Sequence, residues 1–386
     1  MLNFIIGAVA VVCITIVSAS GSFMPTHYLD PWDPSYAGRF TDPRVKIASQ
    51  ALLAPNGHNM QPWIIKLDPN DQNVFYLFGD PDRKTSEIDP LARQFTISQG
   101  AFLEYARLAA QNLGYTASIM LFPAGEYDTA GSTDSIKQKP VAKVILSPKT
   151  NLAENPLQKA LFLPDTNRAP YQADLLTAAQ IKTLNSLNTD QAIKLQILQD
   201  KTNVGKIKPL ARQAMEIETG VHRINALNNT LLRVNEYQKN SSPWGFSLDS
   251  QGSSGIMLHI TQALLTVVPS LNSEASARDL VLKNTRTALD NTPAYLMISS
   301  TTNTRTSQVK TGMLYSRLVL TAQNSGLVMQ PLSQCLEEYP EMKECYMEIY
   351  QDFANRGETI QMLARIGKPT LAAPRSMRRQ VMDLIQ

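Results

Sequence analysis

Residues 99–115 read QGAFLEYARLAAQNLGY and residues 311–327 read TGMLYSRLVLTAQNSGL, two stretches that align at an offset of 212. Gly100 pairs with Gly312, Leu108 with Leu320, and Ala110, Gln111, Asn112 and Gly114 with Ala322, Gln323, Asn324 and Gly326. Both stretches carry apolar residues at helical spacing and end on a glycine suited to a helix C-cap. Each is followed by a short apolar run ending in proline, MLFP at 120–123 and VMQP at 328–331. The pattern predicts an internal duplication, two related halves that each contain one long helix.

Working outward, strand-like runs occur at 63–67 (WIIKL), 74–78 (VFYLF) and 141–146 (VAKVIL), then at 193–198 (IKLQIL) and 294–299 (AYLMIS). With the long helices they predict an α+β fold in which each half is an antiparallel or mixed sheet covered by helices. The halves divide at 41–155 and 156–386. The second holds an insert of about 80 residues, roughly 205–285, with helical pieces and a Gly/Ser-rich turn at 250–255. Insertions of this size read as a lid or an interface arm. Within it, His222 and Arg223 either cover a ligand or face solvent.

The chain of 386 residues is 43% apolar and 18% charged, which suits a buried core and excludes disorder, collagen and coiled coil. Lys and Arg number 36 against 33 Asp and Glu, with the signs interspersed, so there is no nucleic-acid footprint. Cysteines at 13, 335 and 345 make no disulfide framework, and the four histidines lack zinc spacing, so no metal site is expected. Neither a GxSxG elbow, a GxGxxG after a strand, nor a Walker loop is present. No charged side chain precedes Asp30, and residues 2–19 are almost all apolar. Residues 1–24 therefore read as a signal peptide or membrane anchor, and the protein as membrane-anchored or exported. In that compartment Cys335 and Cys345 could form a disulfide. Residues 25–40, rich in Pro, Gly, Tyr and Asp, read as a linker.

Three segments carry candidate chemistry. In 51–63 (ALLAPNGHNMQPW) a helix runs into Pro55, Asn56 and Gly57, and His58, Asn59, Gln61 and Trp63 lead into a strand. Such a turn presents donors and acceptors to a planar ligand with carbonyls and ring nitrogens. The competing reading is a turn whose side chains satisfy their own backbone. The second segment is TNRAPY at 166–171, and the third is PRSMRR at 374–379. Arg168, Arg375, Arg378 and Arg379 suit a phosphate clamp, because guanidinium forks match phosphate oxygens.

APNGHNMQPW resembles the PSxHNxQPW signature of the flavin-dependent nitroreductase superfamily, and TNRAPY resembles a variant of its phosphate motif. Asp89-Pro90-Leu91-Ala92-Arg93, then GLVMQPLSQ, then ARIGKP and PRSMRRQVMDLI follow in the family's order. The combination resembles a branch in which two nitroreductase-like halves are fused, a pseudo-dimer within one chain. The resemblance implies one FMN at the interface of the halves, held by Pro55, Asn56, Gly57, His58, Asn59 and Gln61 from the first half. From the second it implies Asn167, Arg168, Arg375, Arg378 and Arg379, with Asn284 at the flavin's pyrimidine edge. Pro331, Leu332 and Ser333 would lie against the ring, where the Ser333 N–H would meet N5. The implied function is an oxidoreductase passing electrons from NAD(P)H or a quinol through FMN to an electron-poor small molecule. The alternative is a non-catalytic protein that stores FMN under a closed lid. No catalytic side chain is singled out.

Overall fold

The computed structural model describes residues 11, 14–149 and 155–386. In chain order the strands of its two larger sheets are β1 (Trp63–Leu67), β2 (Val74–Gly79), β3 (Tyr115–Leu121), β4 (Ala142–Pro148), β5 (Ile193–Leu198), β6 (Ala294–Ser300), β7 (Val328–Pro331) and β8 (Thr359–Gly367). The helices that frame the site are α1 (Pro43–Ala51), α2 (Arg93–Asn112), α3 (Lys201–Gly220), α4 (His222–Leu231), α5 (Gly255–Val267), α6 (Glu274–Asp290) and α7 (Arg305–Asn324).

Two four-stranded sheets form, ordered β1-β2-β4-β3 and β5-β6-β8-β7, and every neighbouring pair is antiparallel. Both sheets thus repeat one topology, with α2 and α7 each connecting the second strand to the third. The α+β reading holds, and the duplication extends from the helix to the whole half. Strands β3, β7 and β8 escape the sequence for physical reasons. β3 keeps every residue at least partly exposed, β7 has four residues, and β8 carries the charge of Arg365 inside an otherwise apolar run.

The halves meet where α2 crosses α7. A Cβ built on Gly100 would lie 1.9 Å from the Val309 carbonyl oxygen, and one built on Gly312 would lie 1.9 Å from that of Ile97. Backbone touches backbone at the crossing, so neither position admits a side chain. The same offset relates Ile97 to Val309 and Arg93 to Arg305, and the two arginines repeat the reciprocity. Buried Arg93 donates to the carbonyls of Leu336 and Gln361 in the second half, and buried Arg305 to those of Leu91, Asp128 and Thr129 in the first. Each half's loops are thereby tied to the other half's helix.

Asp89 explains the start of α2. Its carboxylate accepts from the backbone N–H groups of Arg93, Gln94 and Phe95, so it caps the helix from outside while Ala92 takes a left-handed conformation at φ 56°. The side chain is buried, and burial raises its pKa against the pull of those donors and of Arg93.

The first core borrows chain from both ends. Residues 25–40, read as a linker, form two 3-10 turns, His27–Trp32 and Tyr36–Arg39, that bury Trp32 and Tyr36 in it. Val381 and Leu384 join the same cluster, and Ile385 bridges Ile65 in parallel along the edge of β1, with Gln386 N–H donating to the Ile65 carbonyl at 2.9 Å. The tail of the second half therefore closes the sheet of the first and covers its edge strand.

Among the described residues no helix is long and apolar enough to cross a membrane. This overturns the expectation of a membrane anchor, and with it the membrane partner and the membrane-anchored location. Residues 14–20 are helical, Ser20 is buried, and Gly21 packs against Tyr237, whose hydroxyl donates to the Ser18 carbonyl at 3.1 Å. Residues 1–10, 12 and 13, on which most of that apolar segment and Cys13 fall, lie outside the described residues. Cys335 and Cys345 are buried free thiols rather than a disulfide.

Replacing Gly100 or Gly312 by Ala should lower stability by about 1–3 kcal/mol each, the usual effect of overpacking. In urea denaturation the double variant should lose less than the sum, since both substitutions open one crossing. Gly38→Ala, with no atom near its Cβ position, should stay within about 0.5 kcal/mol of the parent.

Candidate functional site

The turn from α1 to β1 is held in an uncommon backbone conformation. His58, Asn59 and Gln61 have φ of 53°, 53° and 52°, left-handed values that non-glycine residues adopt only where their surroundings compensate. The compensation is visible in the side chains. The Asn56 amide oxygen accepts from Gln61 N–H at 2.7 Å, and Asn59 donates to the carbonyls of Gly245 and Met377. Gln61 donates to the Pro243 carbonyl and accepts from Arg379 N–H. From α2, the Ser98 hydroxyl accepts from Gly57 N–H, and the Ser98 carbonyl accepts from the buried Trp63 indole. Asn56 thus serves the turn's own backbone, as the competing reading has it, whereas Asn59 and Gln61 bond mainly the distant backbone of the insert and of the carboxyl-terminal segment. His58 does neither, for its buried Nδ1 has no partner. Burial and the nearby Arg168 guanidinium push its pKa down to about 4, so the ring is neutral at neutral pH.

The TNRAPY segment is clamped as firmly. Asn167 N–H donates to the Met329 carbonyl, its side chain donates to Leu371, and Arg365 donates to the carbonyls of Asn167 and Ala169 while stacking on Tyr171 at 3.9 Å. These contacts fix the backbone on either side of Arg168, whose own side chain lines the cavity. The charged Arg365 inside β8 is therefore a positioning residue for Arg168.

The three terminal arginines separate. Arg378 is buried beneath Trp32, donates to Asn59 and to the Leu53 carbonyl, and approaches Asp165 at 3.5 Å. Its Nε is buried without a partner. Arg379 turns away to the carbonyls of Gln61 and Asp383, and Arg375 is exposed; neither lines the cavity.

The cavity, ≈ 380 Å³, falls within the range of small-molecule sites. The first half supplies Pro55, Asn56, Gly57 and His58 together with Gln94, Ile97 and Ser98 of α2, and the second supplies Arg168, Tyr315, Pro331, Ser333 and Gln361. A side chamber of ≈ 90 Å³ adds Asn59 and Arg378. Leu332 points instead into the core and Gln61 into the turn, so neither lines a wall. The insert forms the remaining wall through Met215, Glu218, Asn228, Phe246, Val281 and Asn284. Its hold on the first half is specific. Gly245 exchanges hydrogen bonds with Asn59, the Trp244 ring has Arg83 at 4.6 Å and Arg233 at 5.4 Å, and the Phe246 ring lies 6.1 Å from that of His58. A Cβ on Gly245 would strike the Leu231 carbonyl at 2.1 Å, so the close approach needs glycine. His222 and Arg223 take the solvent-facing alternative, paired with Glu274 and with Glu341 and Glu87. A hollow of ≈ 390 Å³ beside β5, between Asn188, Lys194 and Glu358, draws on the second half alone and has none of the motif residues.

Sequence reasoning missed Gln94, Ser98, Asp165, Glu218, Tyr315 and Gln361. Most sit on helices or strands whose periodicity reads as core, and no local pattern marks them as facing a cavity. Asp165, adjacent to TNRAPY, was the one within reach of a motif.

No protein-family model matches the chain. Relatives provisionally named NAD(P)H nitroreductase, from two strains of Mycobacterium tuberculosis, are 32% identical over 77 residues, which is 20% of this chain and 22% of theirs. The chain thus matches little more than a fifth of the length of these curated relatives. Solved structures with a similar fold include a nitroreductase-like family protein from Bacillus cereus, 10% identical, TM-score 0.33, covering 61% of this chain and 96% of that one. The FMN-dependent nitroreductase NfnB from Mycobacterium smegmatis, in complex with NADPH, is 11% identical at a TM-score of 0.29, with coverage of 55% and 89%. A provisionally named nitroreductase from Anabaena variabilis is 11% identical at 0.32, with 82% of each chain covered. At such scores the architecture rests on this chain's own two sheets. The resemblance carried by its motifs is to the flavin-dependent nitroreductases, and the chain folds as two α+β halves that share one sheet topology.

Proposed function

We propose that the chain binds one FMN between its halves and acts as an oxidoreductase, taking electrons from NAD(P)H or a quinol and passing them to an electron-poor small molecule. The observation that carries this reading is a cavity walled by both halves, with Arg168 at one end and buried polar atoms left without protein partners along it. Those atoms are His58 Nδ1, Glu218 Oε2, Asn228 Oδ1, Tyr315 Oη and Gln361 Oε1. Orphaned groups of this kind are costly in a finished core, and a bound ligand rich in donors and acceptors satisfies them. The donor set fits FMN. Arg168, with Arg378 behind it, suits the phosphate, although Asp165 shares that end and tempers the positive field. His58 and Asn284 offer hydrogen bonds, and the loop Pro331–Ser333 offers backbone. When bound, FMN supplies the two-electron chemistry. The chain's share is to orient the ring, exclude water with the insert, and set the polarity around it.

One site per chain is supported by an asymmetry between the halves. The left-handed turn at His58 and the side chain of Arg168 line this one cavity, whereas the hollow beside β5 is lined by the second half alone and has none of the motif residues.

A storage role is the second reading, supported by the insert's clamp on the first half through Asn59, Gly245 and Trp244. Adding NADPH or a quinol anaerobically to the FMN-loaded protein separates the two. Bleaching of the flavin absorbance supports turnover, whereas a spectrum unchanged by either donor but bleached by dithionite supports storage.

Arg168→Ala should weaken FMN binding by roughly ten- to a hundredfold, the loss of a charge-assisted contact. Riboflavin, which lacks the phosphate, should bind both proteins alike. Equal losses for the two ligands by fluorescence titration would show that Arg168 does not face the phosphate.

A further inference from the structure

The outer part of the insert is held in place by polar contacts rather than by a core. No residue from 228 to 288 belongs to any of the three hydrophobic clusters that stabilise the two halves. Its α5 turns Ile256, Met257, Leu264 and Val267 outward to solvent. A segment with so little apolar burial against its neighbours is the part of a fold that opens first, and its closed position rests on the hydrogen bonds that reach it.

Those hydrogen bonds converge on a buried ionic network. Glu236 and Lys239, on the short helix Glu236–Ser241, are 5% and 1% exposed, and their side chains pair at 2.8 Å. The Tyr28 hydroxyl donates to one Glu236 oxygen at 2.6 Å, and Gln262 of α5 donates to the other at 2.9 Å. Lys239 also donates to Asp249 at 3.2 Å. Asp249 in turn accepts from the Ser247 hydroxyl and from Ser250 N–H. It thereby fixes the loop whose Phe246, Leu248 and Gln251 line the cavity. Burial works against the Glu236 charge, but the donors around it hold its carboxyl below the usual range, so it stays ionised at neutral pH.

One residue ties this network to the opposite side of the cavity. While the Tyr28 side chain meets the insert, its backbone carbonyl accepts from Arg378 N–H at 2.9 Å. Around it, His27 N–H donates to Asn240 at 3.1 Å, and Asn240 donates to the Pro25 carbonyl at 2.8 Å. The Trp32 indole donates to the Ser376 carbonyl at 2.7 Å, and its ring, buried in the first core, anchors the segment. Residues 25–32 therefore strap the insert to the carboxyl-terminal segment that carries Arg378.

We propose that Tyr28, with Glu236 and Lys239, is the latch of the cavity: it holds the 246–251 wall against the His58 turn, and its release sets how fast a ligand enters and leaves. The identity of that ligand, FMN, rests on the functional reading above, whereas the latch rests on the hydrogen bonds themselves. A latch differs from a ligand contact in what it controls. Entry and exit both pass through the open state, so loosening the latch speeds both by one factor. Their ratio, the Kd, stays nearly unchanged as long as the closed state predominates.

Tyr28→Phe tests this, since it removes one buried hydroxyl and keeps the ring. Amide hydrogen exchange, followed by mass spectrometry without FMN, should quicken at 243–251 by roughly ten- to a hundredfold, the loss of a hydrogen bond to a charged group. Exchange in α2 and α7 should not change. Stopped-flow fluorescence should show FMN association and dissociation rising together by one factor. Asn240→Ala, which cuts the strap away from the ring and the ion pair, should act in the same direction. Unchanged exchange at 243–251 in Tyr28→Phe overturns the latch, and Asn240→Ala decides in its place if Tyr28→Phe does not fold. Dissociation that quickens while association does not overturns the gating step and makes Tyr28 a support of the binding site. Failure of the parent protein to bind FMN overturns the functional reading instead, and exchange at 243–251 still decides the latch.

Discussion

The contact on which this structure depends is the crossing of α2 and α7 at Gly100 and Gly312. With no Cβ on either residue, the helix backbones meet, and each glycine lies against the carbonyl of the residue that precedes its counterpart by three positions. That closeness sets how far apart the two sheets stand and brings the first turn of each helix beside the loops of the opposite half. Arg93 and Arg305 then become possible as cross-braces, because their side chains arrive at carbonyls the other half leaves open. The cavity is a consequence, opening beside the crossing where α2 contributes Gln94, Ile97 and Ser98 and α7 contributes Tyr315.

The same frame was put to different uses on its two sides. On one, the turn at His58 and the clamped backbone around Arg168 leave polar groups facing inward without partners. On the other, the hollow beside β5 is lined by the second half alone and has none of the motif residues. The insert reinforces the asymmetry, since it adds a wall to one side and anchors that wall on Asn59. A duplicated scaffold carrying one worked-out cavity keeps the mechanical benefit of the pseudo-twofold contact and frees the second side from the demands of binding.

Polar residues divide along a consistent line. Asn56, Asn59, Gln61, Asn167 and Arg365 spend their hydrogen bonds holding left-handed or clamped backbone, and so define the shape of the walls. His58, Tyr315, Gln361 and Glu218 keep atoms in reserve. From the sequence these two groups look alike, because motif resemblance marks the positions a family tends to keep without separating those that make the turn from those that face the ligand.

The sequence by itself determined the duplication, the α+β class, five of the eight sheet strands and the two motif turns. All of these are written in local periodicity, in glycine placement and in the short-range chemistry of proline, asparagine and arginine. Only the tertiary structure decided that the segments at 25–40 and 381–386 belong to the first core. It alone showed that Arg375 and Arg379 leave the site while Arg378 stays. The difference is physical. A helix or strand is stabilised by contacts a few residues away, whereas a cavity wall or a tail laid on a distant strand depends on how the two halves pack. Here the two glycines set how closely the halves meet.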